Sequence, residues 1–190
     1  ESFNAVMKQW LYVPGEKSQA KVAALFSRLE SAADSTSSGL RSNKESFLLV
    51  LESLAVSVDE FNHIEAKKWI CLMQEHVSTS DDDDMIVDTE VYNAPLPLPV
   101  GQNDIKEYIK GIYSADFVCE RSEEDPLYVN AIKIENWFHE MERISVEEGK
   151  ILAAPDIDTY EAVIQAWIKL ASEEGLLKAE KWAMRATEAA

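Results

Sequence analysis

The residues able to do metal or nucleophilic chemistry are few and widely spaced in this sequence. Its three histidines, His63, His76 and His139, lie far apart and show no His-x3-His spacing. Cys71 and Cys119 are the only cysteines, and they form no Cys-x-x-Cys pair. These spacings predict no metal site. They also predict two reduced thiols, which are typical of a reducing compartment.

A run of four aspartates at residues 81–84 is the other group that could hold a cation. It lacks the glycine and the closing glutamate of an EF-hand loop, so we interpret it as a solvated acidic stretch. The chain also lacks a Gly-x-Ser-x-Gly nucleophile motif, a P-loop and a glycine-rich dinucleotide fingerprint. The sequence therefore predicts a protein that is not an enzyme, with no catalytic residue, no cofactor and no small-molecule substrate.

The negative charge of the chain is concentrated in its second half. The formal net charge is −17, of which residues 1–80 carry −2 and residues 81–190 carry −15. Because RNA is a polyanion, this charge disfavours RNA binding in the second half but not in the first. The acidic second half favours a basic protein as partner instead.

The apolar residues are sufficient for a folded core but do not predict a membrane span. They make up 46% of the chain, which excludes a wholly disordered protein. No apolar run approaches the roughly 20 residues that a membrane-spanning helix needs. We therefore predict a folded protein without a membrane partner.

Apolar residues recur at helical spacing in two kinds of segment. The first kind begins with an aromatic residue and continues at positions i+3, i+4 and i+7, which lie on one face of a helix. Three segments have this form: Phe3, Val6, Met7 and Trp10; Phe47, Val50, Leu51 and Leu54; and Tyr160, Val163, Ile164 and Trp167.

The second kind of segment follows the first at a constant distance. Val22 lies 19 residues after Phe3, and Ala66 and Ala179 lie at the same distance after Phe47 and Tyr160. This regularity predicts a repeated hairpin of two helices. Four second helices share the spacing: Val22, Leu25, Phe26 and Leu29; Ala66, Trp69, Ile70 and Met73; Ile134, Trp137, Phe138 and Met141; and Ala179, Trp182, Ala183 and Ala186.

The first helix of the third hairpin fits two registers, one led by Tyr108 and one led by Ile105. We expect loops at residues 31–42, 78–102, 116–125 and 147–156. In the second loop, prolines alternate with leucines from Pro95 to Pro99, which predicts an extended polyproline conformation.

These elements predict an all-α fold, an α-solenoid of about four antiparallel helical hairpins in a single domain, residues 1–190. A hairpin cannot bury both its apolar stripes alone, so it must stack on its neighbours. The chain begins inside a helical pattern and is expected to be part of a longer protein. The predicted repeats are residues 1–42, 43–77, 104–146 and 156–190, with an acidic, proline-rich insertion at residues 78–103.

The pattern resembles the pentatricopeptide repeat (PPR) family. Residues 155–160, Pro-Asp-Ile-Asp-Thr-Tyr, look like the Pro-Asp, two-residue, Thr-Tyr opening of that motif. The second-helix blocks that end at Met73 and Met141 resemble its second helix. The spacing departs from the family, whose repeats follow every 35 residues or so, because Phe3 and Phe47 are 44 residues apart. The tetratricopeptide repeat family, which shares the hairpin, is the second choice.

The resemblance implies a right-handed superhelix that binds single-stranded RNA in a mitochondrion or plastid. In that family two polar side chains read each base: one follows the lead aromatic, and the other lies four residues before the next lead aromatic. In the first hairpin these positions hold Asn4 and Asn43, whose amides offer both a donor and an acceptor to a base edge. Lys8 and Lys44 are candidates to contact phosphate, together with Lys17, Lys21, Lys67 and Lys68.

Two alternatives stay open at this point. Asn4 and Asn43 could cap helices instead of contacting RNA, because an Asn side chain near a helix start accepts hydrogen bonds from free backbone N–H groups. The other hairpins carry no comparable pair: the second offers Leu48 with Asp104, and the third offers position 109, or position 106 in the other register, with Asp156. The alternative function is therefore a scaffold for a basic protein, which would use the same concave surface and the acidic loops.

Overall fold

Helices form where the apolar residues recur at helical spacing. The computed structural model describes residues 3–13, 16–35, 41–55, 61–79, 85–97 and 125–189. These residues form eight α-helices and one 3-10 helix, and none of them lies in a β-strand, which confirms the all-α prediction. Among them there is no helix of the length and apolar character that crossing a membrane requires.

The chain divides into two compact units, which we describe separately. The first unit comprises Glu1–Val58 and Asn62–Pro95, and the second comprises Asp59–Phe61 and Leu96–Ala190. The single domain and the limits of the four repeats, as expected from the sequence, stay predictions.

Five described helices belong to the first unit. Helix α1 packs against α2 and α3, α2 also packs against α3, and α3 packs against α4. Their limits are α1 Phe3–Leu11, α2 Glu16–Ser35, α3 Lys44–Ala55, α4 His63–Thr79 and α5 Thr89–Asn93.

Three α-helices and a 3-10 helix are described in the second unit. Helix α7 packs against both α6 and α8. Their limits are α6 Pro126–Glu147, the 3-10 helix Ile151–Ala153, α7 Ile157–Lys169 and α8 Glu173–Ala189.

The first-helix apolar sets of α3 and α7 are buried. The four residues of the α3 set are at most 5% exposed, and the four of the α7 set are at most 9% exposed. Three of the five tryptophans are buried, and the other two, Trp10 and Trp69, are half-buried. Helical spacing in the sequence therefore identified the core-facing side of both helices.

One aromatic arrangement occurs in both units. In the first unit, Phe26 of α2 packs edge-on against Phe47 of α3, with ring centroids 4.8 Å apart, and against Trp69 of α4 at 5.1 Å. In the second unit the corresponding rings belong to α6, α7 and α8. The distances are 4.7 Å for Phe138–Tyr160 and 4.6 Å for Phe138–Trp182. The same three places in the predicted hairpin pattern thus build both cores.

Helix limits differ from the expected loops at three places. Helix α2 continues to Ser35, and the 3-10 helix Ile151–Ala153 lies within the loop expected at residues 147–156. Helix α6 begins at Pro126, directly after the loop expected at residues 116–125, and Asp125 caps it by accepting a hydrogen bond from Leu127 N at 2.8 Å. Within residues 78–102, expected to be a loop, Asp88 caps the short helix α5.

The start of the proline-rich part differs from the expected polyproline conformation. Pro95 lies in a turn and Leu96 in a bend, where Leu96 is 2% exposed, and residues 98 and 99 lie outside the described residues. The aspartates at residues 81–84, the first helix of the third hairpin and Cys119 lie outside the described residues.

Candidate functional site

Asn43 caps helix α3. Its Oδ1 accepts a hydrogen bond from Ser46 N at 3.0 Å, and Asn43 N donates to Ser46 Oγ at 3.3 Å. This reciprocal pair satisfies backbone donors that the first turn of a helix otherwise leaves free. The capping interpretation of Asn43 is therefore confirmed, and it leaves the Nδ2 group of the same side chain unused by the cap.

Asn4 reaches from α1 to the same helix start. Its Nδ2 donates to Asn43 Oδ1 at 3.2 Å and to Glu45 Oε2 at 2.8 Å. Its Oδ1 lies 2.8 Å from Ser46 Oγ, which can donate to it. The structure thus brings together the two asparagines, 39 residues apart in the chain, in one network that we call the amide cluster: Asn4, Asn43, Glu45 and Ser46.

Exposure differs within the amide cluster. Ser46 is 1% exposed, whereas Asn43 and Glu45 are exposed and Asn4 is half-buried. The serine therefore forms a buried floor, Asn43 and Glu45 are open to solvent, and Asn4 is covered in part. The family resemblance indicated both asparagines but not Glu45 and Ser46, although Ser46 stands at the third helical position, where reciprocal caps occur.

Lys44 is engaged by carboxylates of α5. Its Nζ lies 2.7 Å from Asp88 Oδ2 and 2.7 Å from Glu90 Oε2. Partial burial acts to lower the pKa of Lys44, but the hydrogen bonds to the two carboxylates outweigh it and the pKa is raised. A lysine held in this way has little charge left to offer a phosphate group.

Lys8 is exposed and lies in the electrostatic field of Glu52 on α3. Partial burial raises the pKa of Glu52, the charge of Lys8 opposes this effect, and the charge of Glu90 adds to it. Lys8 and Lys44, two of the lysines predicted to contact phosphate, therefore stand near carboxylates.

Helix α1 presents an open face that includes Val6 and Trp10, two residues that the sequence assigned to the core. Ala5, Val6, Gln9, Trp10 and Val13 line an open cavity of about 560 Å³. When the lead aromatics are aligned, the five corresponding residues, four in α7 and Leu170 directly after it, are all buried. This face is therefore buried on α7, within the second unit, whereas the equivalent face of α1 is open.

The second unit repeats the cap but not the described amide pair. Asp156 stands at the place of Asn43, and Thr159 N and Asp156 Oδ1 form the corresponding hydrogen bond at 3.1 Å. The residues predicted to pair with Asp156, at positions 106 and 109, lie outside the described residues, as does Asp104. Leu48 is half-buried in α3. Among the described residues, the predicted pair of base-reading side chains is therefore found together in the amide cluster of the first unit.

Metal-ligating residues do not gather in the parts of the chain that the structure describes, where no group of three or more His, Cys, Asp or Glu side chains could hold an ion. Cys71 is exposed there as a free thiol.

No family model, no curated protein and no solved structure matches this chain.

Proposed function

We propose that the chain is a non-catalytic, PPR-like helical repeat segment that binds single-stranded RNA, with Asn4 and Asn43 in contact with one base. The observation that carries this proposal is the contact between the two amides, 3.2 Å apart on the surface of the first unit. A pair of polar side chains at these two places is what the family resemblance implies for base recognition.

Hydrogen-bonding capacity also supports contact with a base. Asn43 Nδ2 has no hydrogen-bond acceptor among the described residues, and Asn4 Oδ1 accepts from Ser46 Oγ alone there. An amide oxygen accepts two hydrogen bonds and an amide nitrogen donates two, so the cluster keeps a donor and an acceptor open to solvent. Neighbouring donors and acceptors are what the edge of an unpaired base requires.

The proposed architecture is a right-handed superhelix of antiparallel hairpins. The support is the aromatic arrangement common to both units and the equivalent caps at Asn43 and Asp156. Under this proposal the protein works in a mitochondrion or plastid, as the resemblance implies, and other parts of the RNA pass over the remaining hairpins.

The second candidate function is a scaffold for a basic protein. Two observations favour it: Lys44 is neutralised by Asp88 and Glu90, and α1 carries an open apolar face around Val6 and Trp10. The net charge of −17 would attract a basic partner, whose apolar side chains would then occupy the α1 cavity.

Binding of single-stranded RNA at increasing salt tests the RNA proposal. Affinity should fall as salt rises, because each phosphate contact releases counterions and contributes about −0.7 to the logarithmic slope. Random-sequence oligonucleotides and fluorescence anisotropy suffice for the measurement. Absence of binding at low salt defeats the RNA proposal.

Asn43→Asp separates base contact from capping. Asp caps a helix about as well as Asn, so the variant should keep its stability while losing the open Nδ2 donor. We expect weaker RNA binding by this variant. The matched control is Asp125→Asn, the reverse change at the cap of α6, which lies outside the predicted base-reading positions. Equal RNA affinity in Asn43→Asp and wild type would leave Asn43 with the capping role alone.

A basic synthetic peptide tests the scaffold. Binding of this peptide that is weakened by Val6→Asp and unaffected by Asn43→Asp would favour the scaffold over the RNA proposal.

A further inference from the structure

The amide of Asn4 is held in one orientation. Both of its N–H donors are used, one on Asn43 Oδ1 at 3.2 Å and one on Glu45 Oε2 at 2.8 Å. Its oxygen lies 2.8 Å from the hydroxyl oxygen of Ser46. If the amide turned over, its oxygen would face the carboxylate of Glu45 and two acceptors would oppose each other.

Two acceptors make this orientation one-sided: Glu45, and Asn43 Oδ1, which the cap already holds toward Ser46 N at 3.0 Å. Only Ser46 Oγ could take part in a network with the amide turned over, because a hydroxyl both donates and accepts. A carboxylate only accepts, and its hydrogen bonds to N–H groups are among the stronger ones.

We propose that Glu45 is a positioning and specificity-determining residue of the amide cluster: it fixes the Asn4 amide and makes the cluster prefer RNA bases with an exocyclic amino group over uracil. This proposal rests on the proposed RNA function. The positioning role is a property of the free protein and can be tested without RNA.

The preference follows from the groups that the cluster leaves open. Asn4 presents an oxygen and Glu45 presents its second carboxylate oxygen, so two of the three open groups accept hydrogen bonds and only Asn43 Nδ2 donates. Cytosine, adenine and guanine carry amino groups that donate to such acceptors, and Glu side chains accept from the cytosine amino group in known complexes. Uracil instead places carbonyl oxygens on both sides of its one N–H, so its oxygens would oppose the carboxylate.

Glu45 forms no ion pair with a cation among the described residues. Lys44, its neighbour in sequence, is paired with Asp88 and Glu90 instead. Glu45 is exposed, so its second oxygen can be reached from solvent.

Side-chain amide NMR signals of the free protein test the positioning role. The Asn4 signals, assigned by their loss in Asn4→Ala, should shift in Glu45→Ala because one N–H loses its acceptor. The matched control is Glu65→Ala, since Glu65 is also an acidic residue in the first turn of its helix, α4. Asn4 signals that respond no more to Glu45→Ala than to Glu65→Ala would overturn the positioning role.

Competition between oligonucleotides of cytidine and of uridine tests the base preference. Wild type should prefer the cytidine oligonucleotide, and Glu45→Gln should reduce that preference about tenfold, because a Gln amide can donate to a uracil carbonyl. Glu65→Gln should leave the preference unchanged. Equal affinity of wild type for the two oligonucleotides overturns the base preference.

Complete absence of RNA binding separates the two parts of the inference. It would overturn the proposed function and the base preference together, while the NMR comparison would still decide the positioning role.

Discussion

Phe138 stands edge-on to Tyr160, with ring centroids 4.7 Å apart and ring planes inclined by 66°. The contact joins α6 to the start of α7, and Trp182 of α8 packs on the same phenylalanine. One ring thus links all three α-helices described in the second unit. Edge-to-face pairs of this kind add about 0.5–1.5 kcal/mol to the stability that burial alone provides.

Phe138→Ala should therefore destabilise the second unit strongly. Loss of a buried phenylalanine side chain costs about 3–5 kcal/mol, through lost burial and the cavity left behind. Urea unfolding monitored by tryptophan fluorescence measures the change. The control is Val146→Ala on the same helix, where the side chain is 80% exposed and we expect a change under about 0.5 kcal/mol. Similar losses in the two variants would contradict this role of Phe138.

Gly175→Ala should also destabilise the protein, against the usual trend for helices. Ala in place of Gly inside a helix normally stabilises by about 0.5–1 kcal/mol. Here an added Cβ would lie 2.6 Å from the carbonyl oxygen of Trp167, a backbone atom that cannot rotate away. We expect a loss of about 1–3 kcal/mol, as for other overpacked sites.

Thermal unfolding checks the Gly175 prediction, with Glu173→Ala in the same helix turn as the control. A Gly175→Ala variant more stable than wild type would show that α8 does not approach α7 this closely.

Ala171→Gly should stabilise the protein. Ala171 has a φ of 48° immediately after the end of α7, a conformation that costs an alanine about 1 kcal/mol and a glycine almost nothing. Glycine is the usual residue at this place after a helix. We therefore expect a gain of about 0.5–1 kcal/mol in the free energy of unfolding, measured by urea titration. Ala24→Gly, on the exposed side of α2, provides the comparison and should have the opposite sign.

Local spacing was sufficient to predict the core-facing residues of α3 and α7, because one face of a helix is set by residues only a few positions apart. Phe47 and Tyr160 led these sets in the sequence, and both are buried. Helix α5 was not predicted because five residues are too few to show a helical period. Its cap, Asp88 followed by Thr89 and Glu90, was the one local signal available.

The candidate site was predicted only in part, because its contacts join distant parts of the chain. The positions of Asn4 and Asn43 followed from the family resemblance, and no local pattern shows that they touch. The ion pair between Lys44 and Asp88 joins residues 44 positions apart, so the sequence offered no reason to expect it. Glu45 was missed for the same reason, since its partner Asn4 lies on another helix.

Glu52→Gln should raise stability at neutral pH and flatten its dependence on pH. The pKa of Glu52 is raised, first by partial burial and then by the charge of Glu90, while Lys8 lowers it. A carboxyl group whose pKa is higher in the folded state contributes stability below its unfolded pKa of about 4.3, and this contribution is lost as pH rises through the folded value. At pH 7 the charged Glu52 therefore opposes folding, and its removal should gain under about 1 kcal/mol at this partly exposed position.

Urea unfolding of wild type and Glu52→Gln at several values of pH, from the acid side of that pKa up to neutrality, measures this effect. The stability difference between the two proteins should grow as pH rises. Lys8→Ala should enlarge it further, because Lys8 is the cation that offsets the burial of Glu52. Lys17→Ala removes an equal charge from an exposed position on α2 and serves as the control. A stability difference that stays constant over this pH range would show that Glu52 is as well solvated in the folded protein as in the unfolded chain.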